Sequence, residues 1–116
     1  LSSCTSIEDI RLIRKAAADI RISDELKRYI VDIVAQTRTT PGVAMGASPR
    51  AGITLMKASQ ALALMEGVDF VTPDHIQELA IPSIAHRLIL ESGSQYSGSQ
   101  AAQILLEIIQ DIPVPA

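Results

Sequence analysis

The residues with the clearest chemical potential lie in one short segment, 46–52, with the sequence Gly-Ala-Ser-Pro-Arg-Ala-Gly. Ser48 and Pro49 are typical of the N-cap and first position of a helix, which places Arg50 in the first turn. The helix dipole disfavours a cation there by about 0.3–1 kcal/mol, and Gly52 costs up to about 1 kcal/mol relative to alanine. Residues that destabilise the helix to which they belong indicate a functional role for the segment. Free helix amides beside a guanidinium suit an anion, especially a phosphate.

A purely structural explanation of the same segment is equally consistent with the residue types. In that explanation Arg50 points to solvent, or it pairs with a carboxylate such as Glu66 or Asp69 elsewhere in the fold. The residues alone leave both explanations open.

Other common catalytic patterns are absent from the sequence. The phosphate-loop pattern of Gly, four residues, Gly, Lys and Ser or Thr does not occur. His75 and His86 lie on segments separated by Pro82, so they do not form a zinc-binding pair one helical turn apart, and we expect no metal site. We expect His75 on the surface and His86 to be partly buried and hydrogen-bonded. Cys4 is the single cysteine, which favours a reducing compartment, the cytoplasm.

The composition predicts one globular domain without a membrane or nucleic-acid partner. The 116 residues are 47% hydrophobic and 20% charged, too apolar for a disordered tail. No apolar run approaches the roughly 20 residues that a membrane span needs. Ten Lys and Arg face thirteen Asp and Glu, whereas nucleic-acid binders usually carry a basic excess. The sequence begins with Leu1 and has no signal-peptide pattern, so we expect a piece of a longer polypeptide.

Apolar spacing predicts about five helices that position this segment. Apolar residues recur at steps of three and four in five stretches, and Ser or Thr precedes each of the first four, as is typical of a helix start. The expected helices cover about 7–19, 24–38, 49–66, 73–81 and a last stretch that ends near 112. The predicted fold class is therefore all-α, a small bundle of about five helices.

Further expectations concern how these helices are arranged and connected. The third helix is apolar around most of its circumference and is expected to be central. Pro82 is expected to interrupt the fourth helix, and residues 43–47 to form a loop, with no strand pair in the chain. Residues 91–99, rich in Ser and Gly, are expected to be a flexible link within a single domain, 1–116.

Several motifs of the chain strongly resemble the C-terminal lid domain of MoxR-type AAA+ ATPases. The likeness covers nearly the whole chain from about residue 7, and the order and spacing of the motifs make it specific. The matching motifs are Ser-Asp-Glu-Leu at 23–26, Tyr-Ile-Val-Asp at 29–32, Thr-Arg at 37–38, Gly-Ala-Ser-Pro-Arg-Ala at 46–51, Val-Thr-Pro-Asp-His-Ile at 71–76, His-Arg-Leu at 86–88 and Ile-Pro-Val-Pro at 112–115.

The resemblance implies roles for particular residues. Arg50 matches the sensor 2 arginine, which reaches from the lid to the nucleotide phosphates held by a preceding ATPase core. Gly46, Ser48 and Pro49 belong to the same motif and are expected at the nucleotide site. Arg38 matches another family position and is expected to face the nucleotide or a neighbouring subunit, although a helix-end cation stabilised by the dipole is an open alternative. No role follows for the matching pair at 86–87.

The resemblance also implies properties of a whole protein. These are ATP and Mg²⁺ as cofactors, a homo-oligomeric ring expected to be a hexamer, and a chaperone-like role on an unidentified client protein. The phosphate loop, the magnesium-binding acidic pair and the arginine finger are missing from these 116 residues, so the fragment alone is not expected to hydrolyse ATP.

Two other functions compete with this interpretation. One is a stand-alone helical adaptor that binds another protein through an apolar groove, without nucleotide chemistry. The other is a helix-turn-helix DNA binder, which the long connection 39–47 and the acidic charge disfavour.

Overall fold

The described part of the chain contains five α-helices. The structure is a computed structural model that describes residues 1–91 and 98–115. Its helices are α1 (Ile7–Ala18), α2 (Asp24–Thr37), α3 (Pro49–Met65), α4 (Pro73–Ile84) and α5 (Gly98–Asp111). The prediction of an all-α fold with about five helices is confirmed.

The helix starts follow from local side-chain chemistry. The Ser6 hydroxyl accepts a hydrogen bond from the backbone N–H of Asp9 at 3.2 Å. The Ser23 hydroxyl accepts one from Leu26 at the same distance. These contacts satisfy amides that have no partner within the helix. They explain why sequence alone located both starts.

The third helix is central, as expected, because it packs against α1, α2 and α4. Its fully buried line consists of Ala51, Leu55, Ser59 and Ala63, spaced one helical turn apart. The remaining core comes from the other helices. The largest side chains sealed from solvent there are Tyr29, Ile33, Ile76, Ile84 and Leu105.

A short strand pair contradicts the expectation of a loop at 43–47 and of no strands. Strand β1 (Val43–Met45) pairs antiparallel with β2 (Ile89–Leu90), and the N–H of Glu91 extends the pairing by donating to the carbonyl of Gly42 at 2.9 Å. Strands of three and two residues are too short to display alternating hydrophobicity. The pairing arises because folding brings the ends of two distant segments together.

The expected interruption of α4 at Pro82 is also wrong. The helix continues to Ile84 and is followed by a short 3-10 turn, Ala85–Arg87. A proline inside a helix removes one N–H and crowds the carbonyl four residues before it. Pro82 lies near the end of α4 and is exposed, so little of the helix depends on the missing bond.

The expected flexible link, 91–99, lies for the most part outside the described residues. Helix α5 begins at Gly98. Its buried face is the predicted one, with Ala101, Leu105, Ile108 and Ile109 in the core. The helix ends at Asp111, just before Pro113.

Helix α1 lies on the core without burying any of its own side chains. Its apolar face is Ile7, Ile10 and Ile13, which are between 47% and 68% exposed. Just after α1, the carbonyl of Ile20 accepts a hydrogen bond at 2.8 Å from the side-chain amide of Gln60 in α3. This bond attaches the end of α1 to α3. Within residues 1–91 and 98–115, no helix has the length and apolar character to cross a bilayer.

Candidate functional site

The N-terminus of α3 lacks the acidic residues that occupy the first turns of α1, α2 and α4. Ser48 has the extended backbone of an N-cap, with φ −81° and ψ 166°, and Pro49 is the first helical residue, as predicted. The Ser48 side chain makes no hydrogen bond at the cap. Neither a first-turn carboxylate nor a capping hydroxyl therefore offsets the positive end of this helix dipole.

Arg50 lies at this helix end with its side chain exposed. Among the residues that the structure describes, its guanidinium forms no hydrogen bond or ion pair. The two carboxylates considered as partners are engaged elsewhere: Glu66 contacts His75 at 2.8 Å, and Asp69 contacts Arg21 at 3.3 Å. The explanation by pairing with Glu66 or Asp69 is wrong. The other structural alternative, an Arg50 side chain that points to solvent, agrees with its exposure, and a cation exposed in this way is also accessible to a ligand.

Gly46 is required by a close approach of two backbone segments. A Cβ atom at this position would lie 2.7 Å from the backbone nitrogen of Arg38 and from the carbonyl carbon and oxygen of Thr37. These atoms belong to the end of α2 and cannot rotate away. The glycine therefore lets the loop cross the end of α2 immediately before α3 begins.

Ala47 follows this crossing point and is held through both of its backbone hydrogen-bonding groups. Its N–H donates to the hydroxyl oxygen of Thr37 at 3.0 Å, and its carbonyl accepts a hydrogen bond from Nε of Arg38 at 3.0 Å. Ala47 is 1% exposed and Thr37 is fully buried. The end of α2 and the start of α3 are thus one hydrogen-bonded unit, which we call the Ala47 clamp: Thr37, Arg38 and Ala47.

An apolar cleft of about 430 Å³ separates α2 from α3 beside the clamp. Arg38 and Pro49 lie at its edge, whereas Arg50 is not part of its lining. The apolar side chains along its walls include Ile30, Val31, Val34, Ile53 and Met56. Arg38 is exposed at the C-cap of α2. These contacts bring Arg38 beside the loop that contains Gly46 and Ala47 and that leads through Ser48 and Pro49 to Arg50.

The expected positions of the two histidines are reversed. His75 is 4% exposed; its Nδ1 accepts a hydrogen bond from the Thr72 N–H at 3.0 Å, and its Nε2 lies 2.8 Å from a Glu66 oxygen. His86 is exposed. Sequence pattern placed His75 on the surface because it occupies a first turn, but this side chain folds back over its own helix start. Within the described ranges, no three His, Cys, Asp or Glu side chains converge as metal ligands would.

Thr37 is the member of the site that sequence reasoning did not single out as a site residue. A signal was present, because Thr37 is a polar residue that extends the apolar stripe of Ile30, Ile33 and Val34 along α2. A polar side chain on a buried face must find a partner. The sequence does not reveal that the partner is ten residues away, across a loop.

Comparison with known proteins matches most of the chain to one family. The model of the AAA lid domain family matches residues 35–108. This range includes the Ala47 clamp, the whole of α3 and α4, and most of α5. It therefore contains all of the predicted site residues, which are Arg38, Gly46, Ser48, Pro49 and Arg50.

Individual relatives agree with that family match. The uncharacterized protein YeaC of Bacillus subtilis is 43% identical over 93% of this chain and 34% of its own length. Chaperone MoxR1 of Mycobacterium tuberculosis is 28% identical over 95% of this chain and 32% of its own length. The crystal structure of a candidate ATPase from Cytophaga hutchinsonii superposes with a TM-score of 0.82 at 28% identity, over 94% of this chain and 36% of that one. The chain thus spans about a third of the length of these relatives.

Proposed function

The chain belongs to the AAA lid domain family, as a lid of the MoxR-type AAA+ ATPases, and from that premise we propose that its Arg50 binds nucleotide phosphates in a longer ATP-hydrolysing protein. One observation carries this proposal. Arg50 is an exposed arginine without a described partner, at a helix N-terminus without a first-turn carboxylate.

The chemistry of this helix end suits a phosphate better than a neutral ligand. Amides at a helix N-terminus and the dipole both favour negative charge. A guanidinium remains protonated and presents several donors in a planar fork that matches phosphate oxygens. In the proposed site Arg50 stabilises the charge that develops on the γ-phosphate during hydrolysis.

The other predicted residues support Arg50 rather than duplicate it. Gly46 permits the close loop crossing, while Ser48 and Pro49 set the direction of the first turn. Arg38 holds the loop before α3 through the bond from its Nε to the Ala47 carbonyl, and its charge adds to the positive potential on this side without contact with the nucleotide. We therefore include all four in the proposed nucleotide site.

ATP with Mg²⁺ is the proposed cofactor pair of the whole protein, held by an ATPase core that this chain does not contain. Bound Mg²⁺ would supply charge neutralisation at the phosphates. The residues of this chain fit such a ligand through their uncompensated positive charge. The lid by itself is proposed to be inactive, because the phosphate loop is absent from its sequence.

The proposed partners are the ATPase core of the same polypeptide, neighbouring subunits of a homo-oligomeric ring, a hexamer, and an unidentified client protein. The exposed isoleucines of α1 support the first of these, since a face of this kind usually packs on another surface. The name of the chaperone relative supports a chaperone-like role. We place this activity in the cytoplasm.

The proposal predicts the effect of removing the Arg50 guanidinium. In the full-length ATPase, Arg50→Ala should lower ATP turnover at least about tenfold, or about 1.4 kcal/mol of transition-state stabilisation. Steady-state phosphate release measures it. Lys57→Ala is the matched control, because Lys57 is an exposed cation about two turns further along the same helix. Unchanged turnover in Arg50→Ala, or an equal loss in both variants, would remove Arg50 from the mechanism.

The apolar cleft between α2 and α3 is the observation that favours the competing function, an adaptor that binds a protein without nucleotide chemistry. Intact-mass analysis of the endogenous protein separates the two. A chain near 116 residues supports the adaptor, and a chain about three times longer supports the ATPase lid.

A further inference from the structure

We propose that Thr37 and Arg38 are positioning residues for Arg50: through the Ala47 clamp they hold the start of α3 in the one orientation from which the guanidinium meets the phosphates. This inference rests on the proposed function and deepens it. It assigns a role to Thr37, and it gives Arg38 a role that does not require contact with nucleotide.

The clamp engages the backbone of Ala47 on both sides in a buried setting. Both of its backbone groups are used, at 3.0 Å each, in surroundings where Ala47 is 1% exposed and Thr37 is sealed from solvent. The Thr37 hydroxyl also donates to the carbonyl of Val34 at 2.6 Å, so its proton is directed away from Ala47 and its lone pair toward the Ala47 N–H. Water cannot readily replace such a buried bond.

The backbone between Ala47 and Arg50 transmits this restraint. Only Ser48 and Pro49 intervene; Ser48 has extended geometry, and the proline ring restricts φ of Pro49 itself. The N–H of Ala51 then closes the first turn by donating to the carbonyl of Ser48 at 2.9 Å. A shift of Ala47 is therefore carried to the base of Arg50, and a misplacement of about 1 Å can cost on the order of a hundredfold in rate.

The test is a double-mutant cycle in the full-length ATPase. Thr37→Val replaces the hydroxyl with a methyl group of similar size, and Thr37→Ser keeps the hydroxyl. We expect Thr37→Val to lower kcat at least about fivefold, with a smaller effect on the KM for ATP, and Thr37→Ser to retain most of the activity. In an Arg50→Ala background, Thr37→Val should change kcat by less than about twofold.

Thermal unfolding of the same variants separates positioning from general destabilisation. We expect Thr37→Val to lower Tm equally with Arg50 present or absent, whereas its effect on kcat should require Arg50. A loss of kcat by the same factor in both backgrounds would overturn the positioning role and leave Thr37 as a residue of stability alone.

Arg38→Met provides a second variant if Thr37→Val does not fold, because Arg38 is exposed and methionine keeps an unbranched side chain, while the Ala47 carbonyl loses its bond to Nε. Its effect on kcat should also vanish in the Arg50→Ala background. A loss that adds to that of Arg50→Ala would mean direct contact of Arg38 with nucleotide and would overturn positioning. If Arg50→Ala alone leaves turnover intact, the proposed function itself fails, which is a different result.

Discussion

At the scale of single residues, the two glycines of the 46–52 segment have opposite structural requirements. Gly46→Ala places a Cβ atom 2.7 Å from fixed backbone of Thr37 and Arg38, so we expect it to lower the free energy of unfolding by about 1–3 kcal/mol. Urea unfolding of this chain measures the change. An alanine at 46 as stable as the wild type would contradict the close crossing.

Gly52→Ala is the matched control, with the same chemical change six residues further on. Its Cβ would meet methyl groups of Ile30 and Val34 at 3.5 and 3.6 Å, which is ordinary contact. Because alanine is the better helix former, we expect up to about 1 kcal/mol of added stability. Gly46 is thus required by the close approach of the two backbone segments, whereas alanine fits at Gly52.

At the scale of the elements, His75 links the start of α4 to the end of α3. It accepts from the N–H of Thr72, the N-cap of α4, and contacts Glu66, the C-cap of α3. His75→Ala removes a buried acceptor, so we expect a loss of about 1–2 kcal/mol in unfolding free energy.

His75→Gln tests the capping component of this contact. Glutamine at the third helical position reaches back to the N-cap amide in many helices, so it should recover part of the stability that alanine loses. Urea titrations of the three proteins side by side make the comparison. A glutamine variant no more stable than the alanine variant would show that the contact with Glu66, rather than the cap, stabilises this junction.

At the scale of the whole molecule, the chain is flat, and the apolar face of α1 is exposed within the part of the chain that the structure describes. Its extents are 47 × 41 × 20 Å, and its radius of gyration is 15.8 Å, against about 13 Å for a compact globule of this length. The face of α1 formed by Ile7, Ile10 and Ile13 contributes to this exposed surface. The chain therefore has room to pack against a further domain.

This arrangement predicts that Ile10→Ser with Ile13→Ser leaves the isolated chain nearly as stable as before. Each substitution should change the unfolding free energy by about 1 kcal/mol or less, because each side chain is about half exposed, 47% for Ile10 and 57% for Ile13. Ile33→Ala, at a fully buried position, should cost about 2–5 kcal/mol. Urea unfolding gives both values, and a large loss from the serine pair would contradict the exposed face.

In the proposed full-length ATPase the same serine pair should behave differently. If the ATPase core covers α1, the two substitutions remove buried apolar area and should lower Tm of the whole protein, while Ile33→Ala lowers Tm in both contexts. An unchanged Tm of the full-length protein would indicate that another surface receives the core.

The sequence by itself determined what depends on neighbours within about four residues. The helix starts could be located because capping preferences and restrictions on φ are local. The residues concerned are Ser6, Ser23 and the pair Ser48-Pro49. Spacing along α5 identified its buried face for the same reason. The unusual cation at Arg50 was visible because the helix dipole acts within a single turn.

Tertiary structure alone decided the contacts that join distant residues. Three features require that separate elements first pack together. They are the pairing of β1 with β2, the hydrogen bonds of Thr37 and Arg38 to Ala47, and the burial of His75. The spacing of apolar and polar residues does not specify which buried polar group pairs with which partner, because many arrangements of the helices satisfy the same spacing. The position of Arg50 at a helix start is thus determined by local sequence, whereas the contacts that hold this helix start come from the packing of α2 against the segment before α3.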